Sequence, residues 1–224
     1  KTAKHFRVTV FENSPLNRVQ EQGAPGVAWQ PAATRTTSGR TLVTEYGTNG
    51  TDDVQLWTVS STGGSAGRSY YAAGKLHKTI LKDENWVNKN AAGQPASKTG
   101  TVEEFRDFEG RIILRRIWET ETKKLETHYV YDDLGDLRFV IPPGFPAAAT
   151  SVKEAASGDF HELVYAYKYD SYRRMVEKKI PGKGWEYLVY NQNDQVVLTQ
   201  DAVQRAKTVK EWNYNKYDAF GRIT

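Results

Sequence analysis

Hydrophobic and polar residues alternate along much of the chain. Phe6, Val8 and Val10 fall on one face of "HFRVTVFE", and "RTLVTEY" and "DVQLWTVSS" show the same period of two. A period of two is typical of a β-strand with one buried face. Gly-, Asn- and Asp-rich stretches between these segments, such as "EQGAPG", "GTNGTDD" and "STGGSAG", favour turns. The pattern therefore predicts an all-β chain of antiparallel strands.

The stretch "YDDLGDLRFVIPP", Tyr131 to Pro143, has the pattern of a β-hairpin. Asp132 stands at the first position of a type I turn and Gly135 at the fourth, where both residue types are favoured. Alternation on either side predicts the two strands, and Pro142 ends the second because proline donates no ladder hydrogen bond.

The same seven-residue unit recurs without gaps. It has the forms "RDFEGRI", "YDDLGDL", "YDSYRRM", "YNQNDQV" and "YDAFGRI". Repetition at short intervals predicts one structural unit used several times. The predicted structural residues of the repeat are Asp107, Gly110, Ile112, Tyr131, Asp132, Gly135, Leu137, Tyr169, Asp170, Met175, Tyr190, Asn191, Val196, Tyr217, Asp218, Gly221 and Ile223.

Glycine is replaced at the turn exit in two of the units. Arg173 and Asp194 stand there instead. Arginine tolerates a left-handed backbone less well than aspartate does, so we expect the turn at Arg173 to have a different geometry.

The longest interval between turns holds an insertion. It begins at Pro142 and is rich in Pro, Ala and Ser, which predicts a short helix near residues 149–156. The strand "ELVYAYKYD" should then resume with Leu163 and three tyrosines on one face. We predict a β-rich lead-in segment over 1–92, a loop over 93–100 and repeated hairpins over 101–224.

The recurring Y-D-x-x-G-R-[LI] resembles the YD repeat (RHS repeat) of bacterial Rhs proteins. Residues 101–224 carry that resemblance directly. The first hundred residues are similar to the segment that precedes the repeats in one bacterial branch. They share the phrases "FENSPLNRVQEQGAPG", "TEYGTN", "YYAAGKLHKT" and "KDENW".

This resemblance implies stacked antiparallel β-hairpins that form an arc of a spiralling β-shell. Such a shell is non-enzymatic, belongs to a large secreted or cell-surface bacterial protein, and encloses or carries a C-terminal toxin or effector, as in polymorphic toxins. The implied partners are the remainder of the parent chain, with further YD repeats and the C-terminal cargo, and secretion machinery or surface proteins. The branch is associated with type IX secretion. The chain starts without Met and ends within "YDAFGRIT", so we expect a fragment that continues beyond residue 224.

Composition changes this picture little. The formal charge is +4, and the basic residues are scattered among acidic ones, which argues against a nucleic-acid partner. No apolar run approaches the roughly 20 residues of a transmembrane helix, so we expect no membrane insertion. Without cysteine, the chain has no disulfide and no thiolate metal site, and both cytosolic and surface proteins fit that composition.

Candidate chemistry is sparse. The four histidines have no metal-ligand spacing, and "GGSAG" lacks the Gly-Lys-Ser/Thr ending of a phosphate loop, so we predict no metal and no cofactor. Asp132, Asp133 and Asp136 form an acidic cluster, but the first position is also occupied by Asn191, which cannot ionise. Hydrogen bonding is the property shared by Asp and Asn. We therefore predict a turn, no catalytic residues and no enzyme.

The aromatic residues leave a second function open. Trp185, Tyr187, Trp212 and Tyr214 would stack on sugar rings or contact a partner protein if they were exposed on an open β-surface. Such residues more often pack in a core or line a shell. A cell-surface binding or adhesion module for carbohydrate or protein is therefore the alternative to the shell segment.

Overall fold

The computed structural model describes residues 4–32, 39–60, 65–88, 90, 96–146, 149, 151–154 and 158–224. The strands in chain order are β1 (Val8–Phe11), β2 (Val19–Gly23), β3 (Leu42–Thr48), β4 (Gln55–Val59), β5 (Ser65–Tyr70), β6 (His77–Lys82), β7 (Val102–Arg106), β8 (Ile112–Trp118), β9 (Lys124–Tyr131), β10 (Leu137–Ile141), β11 (Ser151–Lys153), β12 (Tyr165–Tyr169), β13 (Met175–Ile180), β14 (Gly184–Tyr190), β15 (Val196–Gln200) and β16 (Asn213–Tyr214).

The prediction of an all-β fold is confirmed. The structure is 44 % strand and 7 % helix, the strand pairs are antiparallel, and successive hairpins stand side by side in the sheet. Within the described residues, two short helices interrupt the strands, α1 (Gly158–Leu163) and α2 (Ala202–Ala206), together with one 3-10 turn at Val27–Trp29. None of the described helices is long and apolar enough to cross a membrane.

Contacts group the chain into two compact units. The first comprises Lys1–Val54 and Tyr70–Thr127. Its strands are ordered β1-β2-β3-β6-β7-β8, with every neighbouring pair antiparallel. Phe105 and Leu114 lie directly opposite each other on β7 and β8, and both are completely buried. Strand alternation thus builds the core of this unit.

The second unit comprises Gln55–Ser69 and His128–Thr224. Residues 128–131 of β9 pair with β10, and the order continues β12-β13-β14-β15-β16. A smaller sheet, β11-β5-β4, supplies the other part of the same core. The core contains Trp57, Ala66, Val130, Phe139, Ile141, Val152, Phe160, Val164 and Ala166. The predicted boundaries at 92 and 101 differ from this grouping and stay a prediction.

The helix predicted near 149–156 is wrong. Ser151–Lys153 forms β11, which pairs with β5, and Val152 is completely buried. The helix is α1 instead, so Leu163 ends a helix and the strand resumes at Tyr165. Burial of a β-branched side chain in a sheet favours the strand over the helix suggested by neighbouring alanines. Residues 150 and 155–157 lie outside the described part.

The fully buried Lys179 fixes α1 in place. Its Nζ donates 2.9 Å hydrogen bonds to the carbonyl oxygens of His161 and Val164 at the C-terminal end of the helix. A cation is favourable there because the last carbonyls of a helix are unpaired and carry partial negative charge. Burial lowers the pKa of Lys179, and these carbonyls satisfy the ammonium group.

The segment "GGSAG" also differs from the expected turn. Ser65–Gly67 opens β5, where Gly67 pairs with Ser151. Residues 61–64, which complete the predicted turn, lie outside the described part. The last three residues of the segment therefore belong to a strand of the smaller sheet.

Candidate functional surface

The acidic cluster that follows Tyr131 forms a turn. Counting Asp132 as turn position 1, the N–H of Gly135 at position 4 donates to the Asp132 carbonyl at 3.0 Å. The carboxylate Oδ1 of Asp132 accepts from the backbone N–H of Leu134 (3.1 Å) and Asp136 (2.9 Å). The register shifts beside the turn, which makes it a type I turn followed by a bulge. The Asp132 side chain therefore stabilises the backbone conformation of the turn.

All five turns share this arrangement. In each, the side-chain oxygen of residue 1 accepts from the backbone N–H of residue 5 at 2.9–3.0 Å, namely Asp107 from Arg111, Asp132 from Asp136, Asp170 from Arg174, Asn191 from Gln195 and Asp218 from Arg222. The amide of Asn191 performs this role without a charge. Hydrogen bonding, the property shared by Asp and Asn, thus accounts for position 1.

In three of the five turns, an ion pair joins position 1 to position 5. The Nε of Arg111, Arg174 and Arg222 donates to the remaining carboxylate oxygen of its turn aspartate at 2.7–2.8 Å. The fourth turn uses an amide pair, in which Asn191 Nδ2 donates to Gln195 Oε1 at 2.8 Å. The backbone N–H of Arg222 and then its guanidinium lower the pKa of Asp218, so the carboxylate stays ionised.

The expectation of a different geometry at Arg173 is wrong. Arg173 has φ +62° and Asp194 has φ +59°, in the same left-handed region as Gly135 at +82°. The N–H of Arg173 donates to the Asp170 carbonyl at 3.0 Å, as glycine does in the other turns. The hairpin imposes the left-handed backbone on arginine because the flanking ladder fixes both ends of the turn.

The repeat tyrosines join consecutive hairpins. Tyr169 donates its hydroxyl hydrogen to the carbonyl oxygen of Leu137 at 3.0 Å. Tyr190 bonds Met175 in the same way at 2.8 Å, and Tyr217 bonds Val196 at 2.9 Å. The acceptor is in each case the apolar seventh residue of the preceding unit. The first residue of one unit, the tyrosine, thus contacts the seventh residue of the unit before it.

Turn side chains also bridge neighbouring hairpins. Asp136, at position 5 of its turn, binds Arg173, at position 4 of the next, with an N–O distance of 2.6 Å. Arg174 at position 5 binds Asp194 at position 4 of the following turn, also at 2.6 Å. The two residues that replace glycine are thus the two that form these bridges.

Sequence reasoning missed a related turn at Glu12–Arg18. Glu12 accepts bonds from both Nε and Nη2 of Arg18 at 2.8 Å, and these bonds lower the Glu12 pKa to about 2. Asn17 has φ +49°, as glycine does in the repeats, and the Tyr46 hydroxyl bonds the Val19 carbonyl at 3.0 Å. The available signal was the "NRV" ending, which resembles "GRI", but two additional residues in the loop obscured the motif.

The four candidate binding aromatics do not form one platform. Trp185 packs against the core, with Lys168 Nζ 4.5 Å from its ring centroid, and the guanidinium of Arg205 stacks on Tyr187 at 4.0 Å. Trp212 and Tyr214 are 42 % and 68 % exposed. Two of the four are therefore available to a partner and two are partly covered.

Tyr214 belongs to an exposed apolar row. It lies directly opposite Leu198, which lies opposite Val189. Directly paired residues project from the same face of a sheet. Val189 and Tyr214 are both exposed. In the second unit, this row, with Trp212 nearby in sequence, is therefore the candidate surface for binding a partner.

A groove of about 480 Å³ lies in the first unit. Its lining includes Leu42 and Leu81, which are 44 % and 45 % exposed. Two polar groups of the lining are engaged within the protein: Lys82 Nζ binds Glu45, and the Tyr46 hydroxyl binds the Val19 carbonyl. The groove offers apolar contact area rather than a converging acid and base.

A buried charge cluster in the first unit holds strands together. Arg116 on β8 is 2 % exposed and contacts Asp53 (2.8 Å), Glu103 (2.9 Å) and Glu126 (2.7 Å). Burial by itself raises the pKa of the Asp53 and Glu126 carboxyls, but Arg116, together with Lys124 beside Glu126, outweighs it, so both pKa values lie below the ordinary range. The guanidinium is fully used in neutralising its neighbours.

Two further observations concern metals and histidine. Among the described residues, no group of three His, Asp or Glu side chains is arranged to hold a metal ion. His128 lies on β9 as a buried residue beside Trp57, with ring centroids 6.2 Å apart. His128 thus lies on a strand face and packs against an aromatic ring.

Comparison with known families gives a match to the N-terminal part of the chain. Residues 1–42 match a domain of unknown function, DUF6443. The match covers the β1–β2 hairpin, with its Glu12–Arg18 turn, and ends at the first residue of β3. A search of curated proteins found no match.

Proposed function

We propose that the chain is a non-enzymatic segment of an Rhs-type YD-repeat β-shell, within a large secreted or cell-surface bacterial protein that encloses or carries a C-terminal toxin or effector. The observation that supports it best is the tyrosine bond from each hairpin to the seventh residue of the hairpin before it. A contact repeated between successive units extends a wall one hairpin at a time.

The turn chemistry supports a structural role. In the third turn, Oδ1 of Asp170 accepts two backbone hydrogen bonds and Oδ2 accepts from Arg174. A general acid or base needs an oxygen directed at a substrate proton. Both oxygens of the Asp170 carboxylate are instead occupied by groups of its own hairpin.

Limited proteolysis of the parent protein tests the enclosure. The C-terminal segment should remain intact at protease concentrations that degrade the same segment produced alone, because a surrounding wall excludes the protease. Opening the wall with an Arg116→Met substitution should restore cleavage, as mapped by mass spectrometry. Equal cleavage rates for the enclosed and the isolated segment would contradict the proposal.

A second candidate function is supported by the exposed row of Val189 and Tyr214. An exposed aromatic residue beside apolar neighbours suits a sugar ring or a partner protein. Binding to a glycan array that is lost in Trp212→Ala and Tyr214→Ala, but retained in Tyr172→Ala, would favour an adhesion module. Tyr172 is a suitable control because it is exposed on the turn between β12 and β13 and is not part of the strands that carry this row.

A further inference from the structure

Turn positions 4 and 5 form contacts between neighbouring hairpins. Asp136 at position 5 meets Arg173 at position 4 of the next turn, and Arg174 at position 5 meets Asp194 at position 4 of the turn after it. A Cβ placed on Gly221 would lie 3.2 Å from Nε2 of Gln195, so these positions are also adjacent in the last pair. The adjacency is therefore a property of the stacking.

The charges at these positions are complementary. An acid precedes a base in the first pair, and a base precedes an acid in the second. Both residues at position 4 adopt a positive φ, which costs a non-glycine residue free energy. The side chain that replaces glycine thus gains an ionic partner on the preceding hairpin, and its sign is set by that partner.

Arg222 presents the first half of such a pair. Its Nε and Nη2 bind Asp218 as those of Arg174 bind Asp170. The Nη1 of Arg174 binds Asp194, whereas the Nη1 of Arg222 has no hydrogen-bond or ionic partner in the part of the chain that the structure describes. The Arg222 side chain is 74 % exposed, so a carboxylate can reach it.

The seventh residue of the same unit supplies a second feature. Leu137, Met175 and Val196 each offer a backbone carbonyl to the tyrosine of the next hairpin. Ile223 stands at the equivalent position and is 68 % exposed. The edge formed by Tyr217–Thr224 therefore combines a carbonyl acceptor with a cationic donor.

We propose that this edge is a docking surface for a further β-hairpin with an acidic residue at turn position 4 and a tyrosine that bonds the Ile223 carbonyl. The inference rests on the proposed stacking function and adds the charge of the partner to it. A hairpin with a basic residue at position 4 is disfavoured because it would face Arg222.

A chain extended by one hairpin tests the charge rule. Thr224 stands one residue after the seventh position, as Val176 does, so a copy of residues 177–200 appended after Thr224 continues the register. One version keeps the aspartate at turn position 4, and the other carries lysine there. Hydrogen exchange then reports the protection of the appended amides.

The aspartate version should be protected about two- to five-fold more than the lysine version, the range of an exposed ion pair. The difference should disappear in Arg222→Gln. Equal protection of both versions would overturn the charge rule and leave the stacking function standing. Absence of protection in both would overturn the docking surface and count against the stacking function as well.

Discussion

The hydroxyl of Tyr190 donates a 2.8 Å hydrogen bond to the carbonyl oxygen of Met175 on the preceding hairpin. The arrangement recurs between Tyr169 and Leu137 and between Tyr217 and Val196. Tyrosine and the apolar seventh residue are therefore the two halves of one contact between hairpins. This gives the repeat a physical basis beyond its turn.

Tyr190→Phe should lower the free energy of unfolding by about 0.5–1.5 kcal/mol, the usual net value of one hydrogen bond. The substitution removes the donor to Met175 and retains the ring. Urea denaturation measures the change. Tyr172→Phe is the matched control, because Tyr172 is 78 % exposed on a turn, and equal effects of the two substitutions would contradict the contact.

Gly135→Val should destabilise the hairpin by about 1–3 kcal/mol, because a β-branched residue is strained at positive φ. Gly135 has φ +82°. Gly135→Asn should cost less, since asparagine tolerates the left-handed region. Thermal unfolding and protease resistance report both variants. A valine variant that resists protease as well as the unsubstituted chain would argue against the turn assignment.

The Asp136–Arg173 bridge can be isolated by a double-mutant cycle. Arg173→Gly removes the cation and relieves the positive φ, and Asp136→Asn removes the charge of its partner. The bridge predicts a favourable coupling that declines as salt is added, because the Arg173 side chain is 56 % exposed. Additive effects at low ionic strength would show that the two side chains are energetically independent.

Arg116→Met should lower the free energy of unfolding by about 3–5 kcal/mol, the usual cost of removing one partner from a buried charge cluster. Asp53, Glu103 and Glu126 would then be left as buried acids without their shared guanidinium. Arg115→Met on the solvent side of β8 is the control. Similar losses in both variants would assign the effect to strand composition instead.

Glu121 should contribute to the acid sensitivity of the protein. Bonds from the Ser97 hydroxyl and from Thr99 lower its pKa from 4.5 to about 2. A carboxyl with a depressed folded-state pKa stabilises fully above its unfolded value and loses that contribution as pH falls. The difference in free energy of unfolding between the unsubstituted chain and Glu121→Gln should therefore be constant above pH 4.5 and shrink toward pH 2. A difference unchanged across that window would exclude the ionised carboxylate as its source.

The turns were predictable because their determinants are local. Asp132 accepts hydrogen bonds from backbone groups within four residues of itself, so the residues that form the turn lie close together in the sequence. The Glu12–Arg18 turn uses the same chemistry across a longer loop, so its spacing differed from the motif. The bonds between hairpins were not predictable, because their partners are 15 to 32 residues apart.

The sequence by itself determined the period-two strands and the positions of the repeated turns, since both depend on neighbours in the chain. Tertiary structure decided that Ser151–Lys153 is a strand, because it pairs with Ser65–Gly67. It also decided that Arg173 adopts the positive φ typical of glycine, because the strands of the hairpin hold the turn in that conformation. It also decided which aromatics are covered, with Arg205 over Tyr187 and Tyr214 left exposed. Local hydrogen bonds are specified by adjacent residues, whereas burial and long-range pairing depend on the whole fold.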